Sequence, residues 1–286
     1  MEPIRNERLG AALDQALASN ELGPLIDQLG RNSGLPGPRP NMEVAKAVGH
    51  AIAAAESKGE RLVRDLAKLD AEFPRIVAAM ALASRSMPSG AKKRPHTVIA
   101  AALAGLEELA EDPRFLVRMG IVEALRMRIS AMGEPAVDDL ATWTNGFLQA
   151  HVVLEALADK LILSVLPSAA PVMARLDEAF DLADDSPRAA ERLQGVRVLR
   201  EEMPKQIAIF ASRYPAETVA WLEARAKSKR PETREVVSQA ISRLRRSEIS
   251  DAEALRLSAL LTASGKPPRD PSRIVQGTRK RGRGRG

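Results

Sequence analysis

The sequence predicts an all-α protein, an α-solenoid of stacked antiparallel helix pairs. Apolar residues recur at helical spacing along most of the chain, alternating β-branched runs do not occur, and prolines interrupt the pattern at short intervals. Aromatic residues make up only 3% of the 286 residues, which also disfavours strands. Regular alternation of short helices and turns is more typical of a solenoid than of a compact bundle.

Helical faces are visible in two segments near the middle of the chain. A 3-4-3-4 spacing places one apolar set on a single face: Phe147, Ala150, Leu154, Leu157 and Leu161. A second set recurs at every fourth residue: Val117, Ile121, Leu125 and Ile129. Most prolines stand where a helix would begin, as a proline in the first turn does: Pro74, Pro95, Pro113, Pro135, Pro167, Pro187, Pro204, Pro215 and Pro231. The pattern predicts roughly 13–15 short helices.

The positive charge is concentrated at one end of the chain. Of 43 basic and 37 acidic residues, eight basic residues and one acidic residue, Asp270, lie in residues 266–286. That segment carries +7, and residues 1–265, with 35 basic and 36 acidic residues, carry −1. We therefore expect a helical domain over 1–265 and a disordered basic Gly/Arg tail over 266–286.

Composition excludes several classes of site. The chain has no cysteine, so disulfides, thiolate nucleophiles and cysteine zinc sites are excluded. The N-terminus shows no apolar stretch of a secretory signal, and the most apolar segment, residues 161–174, is short and contains two prolines. These features predict a soluble cytoplasmic protein without a membrane segment. No motif for a cofactor or a metal ion is present.

Two segments repeat each other without a gap. DPRFLVRMGIVEAL (Asp112–Leu125) and RPETREVVSQAISRL (Arg230–Leu244) align Arg118 with Arg234 and Ala124 with Ala240. In each segment a chain turn leads into a helix, and the arginine would lie near the start of that helix. Phosphate binding is one interpretation, but bonding to carbonyls of the turn is favoured.

The segment at 112–125 resembles the second helix of a HEAT repeat. SGLPGPRPNMEVA (Ser33–Ala45) and residues 196–246 are similar to parts of bacterial armadillo/HEAT-like proteins, a group that includes the DNA-alkylation-repair glycosylases. The resemblance implies a HEAT/ARM-like solenoid. One departure is the run EVVSQAISRLRR, where such proteins carry aromatic residues with arginine and asparagine.

The resemblance also implies an alternative function, a DNA glycosylase acting on damaged bases. Such enzymes cradle the damaged nucleotide with tryptophans beside an aspartate and an arginine. Asp139 lies one turn before Trp143, and Arg175 is a possible partner, so Asp139 and Trp143 are the weak catalytic candidates. Packing between helices is the favoured role of Trp143 and of Trp221.

Two other sets of polar residues raise the question of a site. His151, Glu155 and Asp159 follow one stripe of a helix and suggest a metal or a general base, although a solvated helix edge is favoured. The run LDEAFDLADD (Leu176–Asp185) lacks the oxygen pattern of a calcium loop and is interpreted as a solvated helix end.

Basic residues supply the best candidates for binding. A loop without acids contains Lys92, Lys93 and Arg94. The tail supplies Arg273, Arg279, Lys280, Arg281, Arg283 and Arg285. The sequence therefore predicts a non-catalytic scaffold that associates with nucleic acid, with DNA bound without sequence preference, or with a protein partner.

Overall fold

The chain is all-helical in the part that the structure describes. The computed structural model describes residues 4, 6–88, 94–228, 230–245 and 250–265. Within these residues it contains fifteen α-helices and two 3₁₀-helices, and none of them forms a β-strand. The predicted fold class is confirmed at this level. None of the described helices combines the length and the apolar character needed to cross a bilayer.

The helices follow one another with short connections. The α-helices are α1 Glu7–Ser19, α2 Gly23–Asn32, α3 Met42–Ala54, α4 Glu56–Lys68, α5 Glu72–Ser86, α6 His96–Ala110, α7 Phe115–Met132, α8 Glu134–Asp138, α9 Phe147–Leu157, α10 Lys160–Ser164, α11 Ala170–Asp184, α12 Gln194–Ala211, α13 Pro215–Ala226, α14 Pro231–Leu244 and α15 Asp251–Ala263. The 3₁₀-helices are η1 Ala141–Asn145 and η2 Arg188–Arg192.

Six helices pack against one another in the order of the chain. Helix α3 contacts α5, α5 contacts α7, α7 contacts α9, α9 contacts α12, and α12 contacts α14. The intervening helices pack onto this series: α4 and α6 against α5, α11 against α9, and α13 and α15 against α14. Buried aliphatic side chains from nearly all of these helices form one continuous core.

Glycines allow the closest approach within this series, on both sides of α5. A Cβ on Gly49 of α3 would lie 2.5 Å from the Cβ of Met80 and 2.8 Å from the amide nitrogen of Ala81. A Cβ on Gly120 of α7 would lie 2.8 Å from a side-chain carbon of Ile76. The backbones therefore approach more closely than any residue with a side chain would permit.

The two repeated arginines bond the carbonyls of their turns, as the sequence predicts. Arg118 donates from Nη1 to the carbonyl oxygens of Asp112 at 2.9 Å and Pro113 at 2.7 Å. Arg234 donates from Nη1 to the Ser228 carbonyl at 3.3 Å and from Nη2 to the Leu261 carbonyl. Such bonds satisfy carbonyls that no helix can satisfy internally. The structural role is confirmed for both residues.

Two details of the helix boundaries differ from the prediction. Pro204 does not begin a helix but lies inside α12. The buried residues Leu199, Met203 and Ile207 continue one face across it, and their burial outweighs the lost backbone bond. Leu161 is 79% exposed because it does not continue α9, which ends at Leu157. The Asp159 side chain caps the start of α10 by accepting hydrogen bonds from the amides of Leu161 and Ile162.

Candidate functional site

Most of the predicted nucleic-acid residues lie outside the described part of the chain. These are Lys92, Lys93, Arg273, Arg279, Lys280, Arg281, Arg283 and Arg285. Arg94 is described and is half-buried before α6. Burial and the neighbouring Arg85 guanidinium lower the pKa of Arg94, and the Glu56 carboxylate opposes them.

Arg85 is held in place by the preceding helix. It is 7% exposed, and its Nη1 donates to the Glu56 carbonyl at 2.8 Å. Its Nη2 bonds the Glu60 carboxylate at 3.3 Å, and Arg64 reaches the same carboxylate at 3.4 Å. One carboxylate thus pairs with two arginines. The sequence pattern did not indicate that Arg85 is buried.

His151 and Glu155, the two stripe residues that lie on α9, are largely buried rather than solvated, which corrects the favoured interpretation. His151 is 5% exposed, and its Nδ1 has no hydrogen-bond partner among the described residues. Burial lowers the pKa of His151, and the Glu155 carboxylate counteracts this in part. Glu155 accepts a bond of 3.0 Å from Nε2 of Gln206, which lies on α12 and is fully buried. The α9 part of the stripe therefore contacts α12.

Asp159 makes different contacts from the other two residues of the stripe. It caps α10 and is 3.8 Å from Arg126, which also donates to the Glu155 carbonyl at 2.9 Å. Nowhere in the described ranges do three or more His, Asp or Glu residues form a group that could hold a metal ion. The three stripe residues therefore do not converge on one site.

A chain of ion pairs, here called the polar ladder, connects α3 to α12. Its members are Lys46, Glu123, Arg126, Asp159, Glu155, Lys205, Gln206 and Glu202. Lys46 bonds Glu123 at 3.1 Å across α5, and Lys205 is 3.8 Å from Glu155. Three cations face four carboxylates, so the ladder is slightly acidic. It does not offer the basic surface that phosphate binding requires.

Trp143 does not line a surface, which agrees with its favoured role in packing between helices. Its side chain is 1% exposed in η1, which packs against α9 and α11. Asp139 is 44% exposed but pairs with the buried Arg128. Arg175, the proposed basic partner, bonds Glu178 at 2.5 Å. A ring enclosed by helices cannot stack on an extruded base, so Asp139 and Trp143 do not form the pocket that a glycosylase needs.

The acidic run of α11 lies at an exposed helix end, as predicted, and several of its carboxylates also pair with residues of the following helices. Arg225 of α13 pairs with Asp177 and with Asp181 and lies 4.8 Å above the Phe180 ring. Trp221 packs edge-on against Phe180, and its Nε1 donates to Asp177 at 2.8 Å. Trp221 is thus a packing residue, as predicted. The spacing of Asp177 and Asp181, which are one helical turn apart, was the sequence signal for this contact with Arg225.

Several other arginines of the folded part also bond carboxylates within the chain. They are Arg75 and Arg114 with Asp112, Arg126 with Glu123, Arg128 with Asp139, and Arg230 with Asp184 and Asp185. These cations are therefore already paired with carboxylates of the same chain.

A scan against models of protein families gave no match, and a search among curated proteins gave none either.

Proposed function

We propose that the protein is a non-catalytic interaction scaffold, a HEAT-like α-solenoid that associates with nucleic acid through its basic segment 266–286. The serial packing from α3 to α14 supports the solenoid part of the proposal, because each repeat of a solenoid contacts its neighbours. The matching bonds of Arg118 and Arg234 support it as well, because equivalent residues of two repeats would make equivalent contacts.

The separation of charge carries the nucleic-acid part of the proposal. Residues 1–265 have a net charge of −1, and many of their arginines bond carboxylates or carbonyls inside the fold. Residues 266–286 have a net charge of +7, with glycines between the last arginines. Lys and Arg side chains that neutralise phosphates release counterions, so affinity concentrated in this segment depends steeply on salt.

The same segment lacks the residues that read bases. It contains no aromatic side chain to stack on a base. Its last three arginines alternate with glycines, and the segment shows no helical pattern that would place its cations in a groove. The expected binding is therefore weak, non-specific and electrostatic, with DNA as the principal target.

Fluorescence anisotropy with a labelled DNA duplex, across a series of potassium chloride concentrations, tests the proposal. In the tail-neutral variant all eight Lys and Arg of residues 266–286 are replaced by Gln in the full chain. We expect Kd to rise by about 100-fold at low salt and the salt dependence to become nearly flat. A single-stranded RNA of equal length compares the two nucleic acids.

A second variant is the control for position. The loop-neutral variant carries Lys92→Gln, Lys93→Gln and Arg94→Gln, and we expect its Kd to change by less than about threefold. If the tail-neutral variant binds DNA as tightly as the unchanged chain does, the proposal is wrong. If only the loop-neutral variant loses DNA binding, the binding site includes Lys92, Lys93 or Arg94 and does not lie in residues 266–286.

A further inference from the structure

An open groove lies between α4 and α6, with α5 as its floor. Its volume is about 670 Å³, which is within the usual range of ligand pockets. The residues that α6 contributes extend from Thr97 to Leu109, over about 18 Å at the rise of an α-helix. Residues of α4 from Glu60 to Lys68 form the opposite wall. The groove is therefore elongated and suits a long, narrow ligand.

Small residues keep the groove open. Ala101, Ala102 and Gly105 of α6 face Leu82 of α5, and a Cβ on Gly105 would lie 3.2 Å from the Leu82 methyl groups. Val63 of α4, with Val98 and Leu109 of α6, adds further apolar surface. The middle of the groove thus offers an apolar contact and no charged group.

Positive charge is in excess at one end of the groove. Arg64 and Arg85 both line this end of the groove and share the Glu60 carboxylate. Two cations therefore face one carboxylate. Repulsion between the two guanidinium groups would be relieved by an anionic group placed between them.

The opposite end of the groove has no such excess. The Asp112 carboxylate there is shared by Arg75 and Arg114. Lys68 is offset by Glu108 and Glu111, so three cations face three carboxylates. The groove is asymmetric, with a cationic end, an apolar middle and a neutral end.

We propose that this groove binds an anionic amphiphile, a linear alkyl chain with a terminal carboxylate or phosphate. The alkyl chain lies over Leu82 between α4 and α6, and the anionic head group lies at Arg64 and Arg85. This site is independent of the nucleic-acid binding proposed for residues 266–286. Failure of either proposal leaves the other unaffected, because the two use different residues and different ligands.

Titration of the full chain with dansyl-labelled undecanoate tests the site, with dansyl fluorescence as the signal. Decanoate, decyl phosphate and decanol then compete with the probe. We expect decanoate to displace it at concentrations about tenfold lower than decanol does, because decanol lacks the charge that the arginines bind. Comparison of decanoate with decyl phosphate identifies the preferred head group.

Ala101→Phe fills the groove, and Ala104→Phe is the matched control on the same helix. Both alanines are exposed, so neither substitution burdens the core, and only Ala101 lines the groove. We expect Ala101→Phe to raise the Kd of the probe at least about tenfold and Ala104→Phe to leave it unchanged. Equal affinity in the two variants would place the probe elsewhere and overturn the proposal.

Arg64→Gln tests the cationic end, with Arg61→Gln as a control of equal charge change on the same helix. Arg64 lines the groove, whereas Arg61 is exposed on α4 and does not line it. We expect about fivefold weaker binding of the probe to Arg64→Gln and no change for Arg61→Gln. Equal displacement by decanol and decanoate, or no saturable binding of the probe to the unchanged chain, would also overturn the proposal.

Discussion

The turn between α6 and α7 and the turn between α13 and α14 share one backbone design. In each, a side-chain oxygen accepts a bond from the amide of the arginine that precedes the second helix. Asp112 accepts from Arg114 at 2.9 Å, and Ser228 accepts from Arg230 at 3.2 Å. The arginine four residues further along bonds the turn carbonyls in both cases. Equivalent local sequence thus produces equivalent local structure.

The two turns differ in what surrounds them. The Asp112 side chain is 1% exposed and pairs with Arg75 and Arg114, so a carboxylate neutralises two cations inside the fold. Ser228 is neutral, and Arg230 reaches the carboxylates of Asp184 and Asp185 near the surface. The enclosed turn therefore has a charged hydrogen-bond acceptor that neutralises two arginines, whereas the turn near the end of the described fold has a neutral acceptor.

Asp112→Ser would make the first turn like the second and has the largest expected effect. Serine keeps a short acceptor for the Arg114 amide but removes the charge that Arg75 and Arg114 share. We expect a loss of about 3 kcal/mol in the free energy of unfolding. Urea denaturation followed by circular dichroism measures it.

Ser228→Ala is the matched substitution in the second turn. It removes one bond at a half-buried position, and we expect a loss of about 0.5–1 kcal/mol. Equal losses for Asp112→Ser and Ser228→Ala would contradict the difference between an enclosed and an open turn.

Gly120→Val has an intermediate effect and compares the helices that follow the turns. Gly120 of α7 corresponds to Val236 of α14 when Arg118 is aligned with Arg234. A Cβ at Gly120 would press against Ile76 of α5 at 2.8 Å, so we expect a loss of about 1–3 kcal/mol.

The control for the loss of a helical glycine is Gly10→Ala in α1. Nothing lies within 4 Å of a Cβ there, so we expect a gain of up to about 1 kcal/mol from the better helix former. If Gly120→Val raised the free energy of unfolding, close contact between α5 and α7 would not be what distinguishes segment 112–125 from segment 230–244.

Much of the local structure could be predicted from the sequence. Helical spacing and prolines predicted the all-α class, and the aligned segments predicted the bonds of Arg118 and Arg234. These features depend on neighbours within a few residues of each other. The buried face of Val117, Ile121 and Leu125 in α7 belongs to the same class of local information.

Contacts between distant segments could not be predicted. The spacing of His151 and Glu155 places them on one face of a helix, but only the packing of α12 shows that this face is buried against Gln206. Trp143 is enclosed for a similar reason, by α9 and α11, which both follow η1 in the chain. A sequence pattern defines a face, and the element that covers it is determined by the whole fold.

The smallest expected effect is a dependence on pH that distinguishes the two turns. Burial alone would raise the pKa of Asp112, but bonds from Arg114 and Arg75 and the charge of Arg114 outweigh it and hold the pKa below its ordinary value of 3.8. A carboxylate with a lowered pKa stabilises the fold above its unfolded pKa, and this stabilisation is lost as the pH falls through the folded pKa. The difference in unfolding free energy between the unchanged chain and Asp112→Ser should therefore narrow below about pH 4. The difference for Ser228→Ala should stay constant in the same urea titrations, since serine does not ionise. A difference for Asp112→Ser that does not vary with pH would show that the charge of the carboxylate is not what stabilises the enclosed turn.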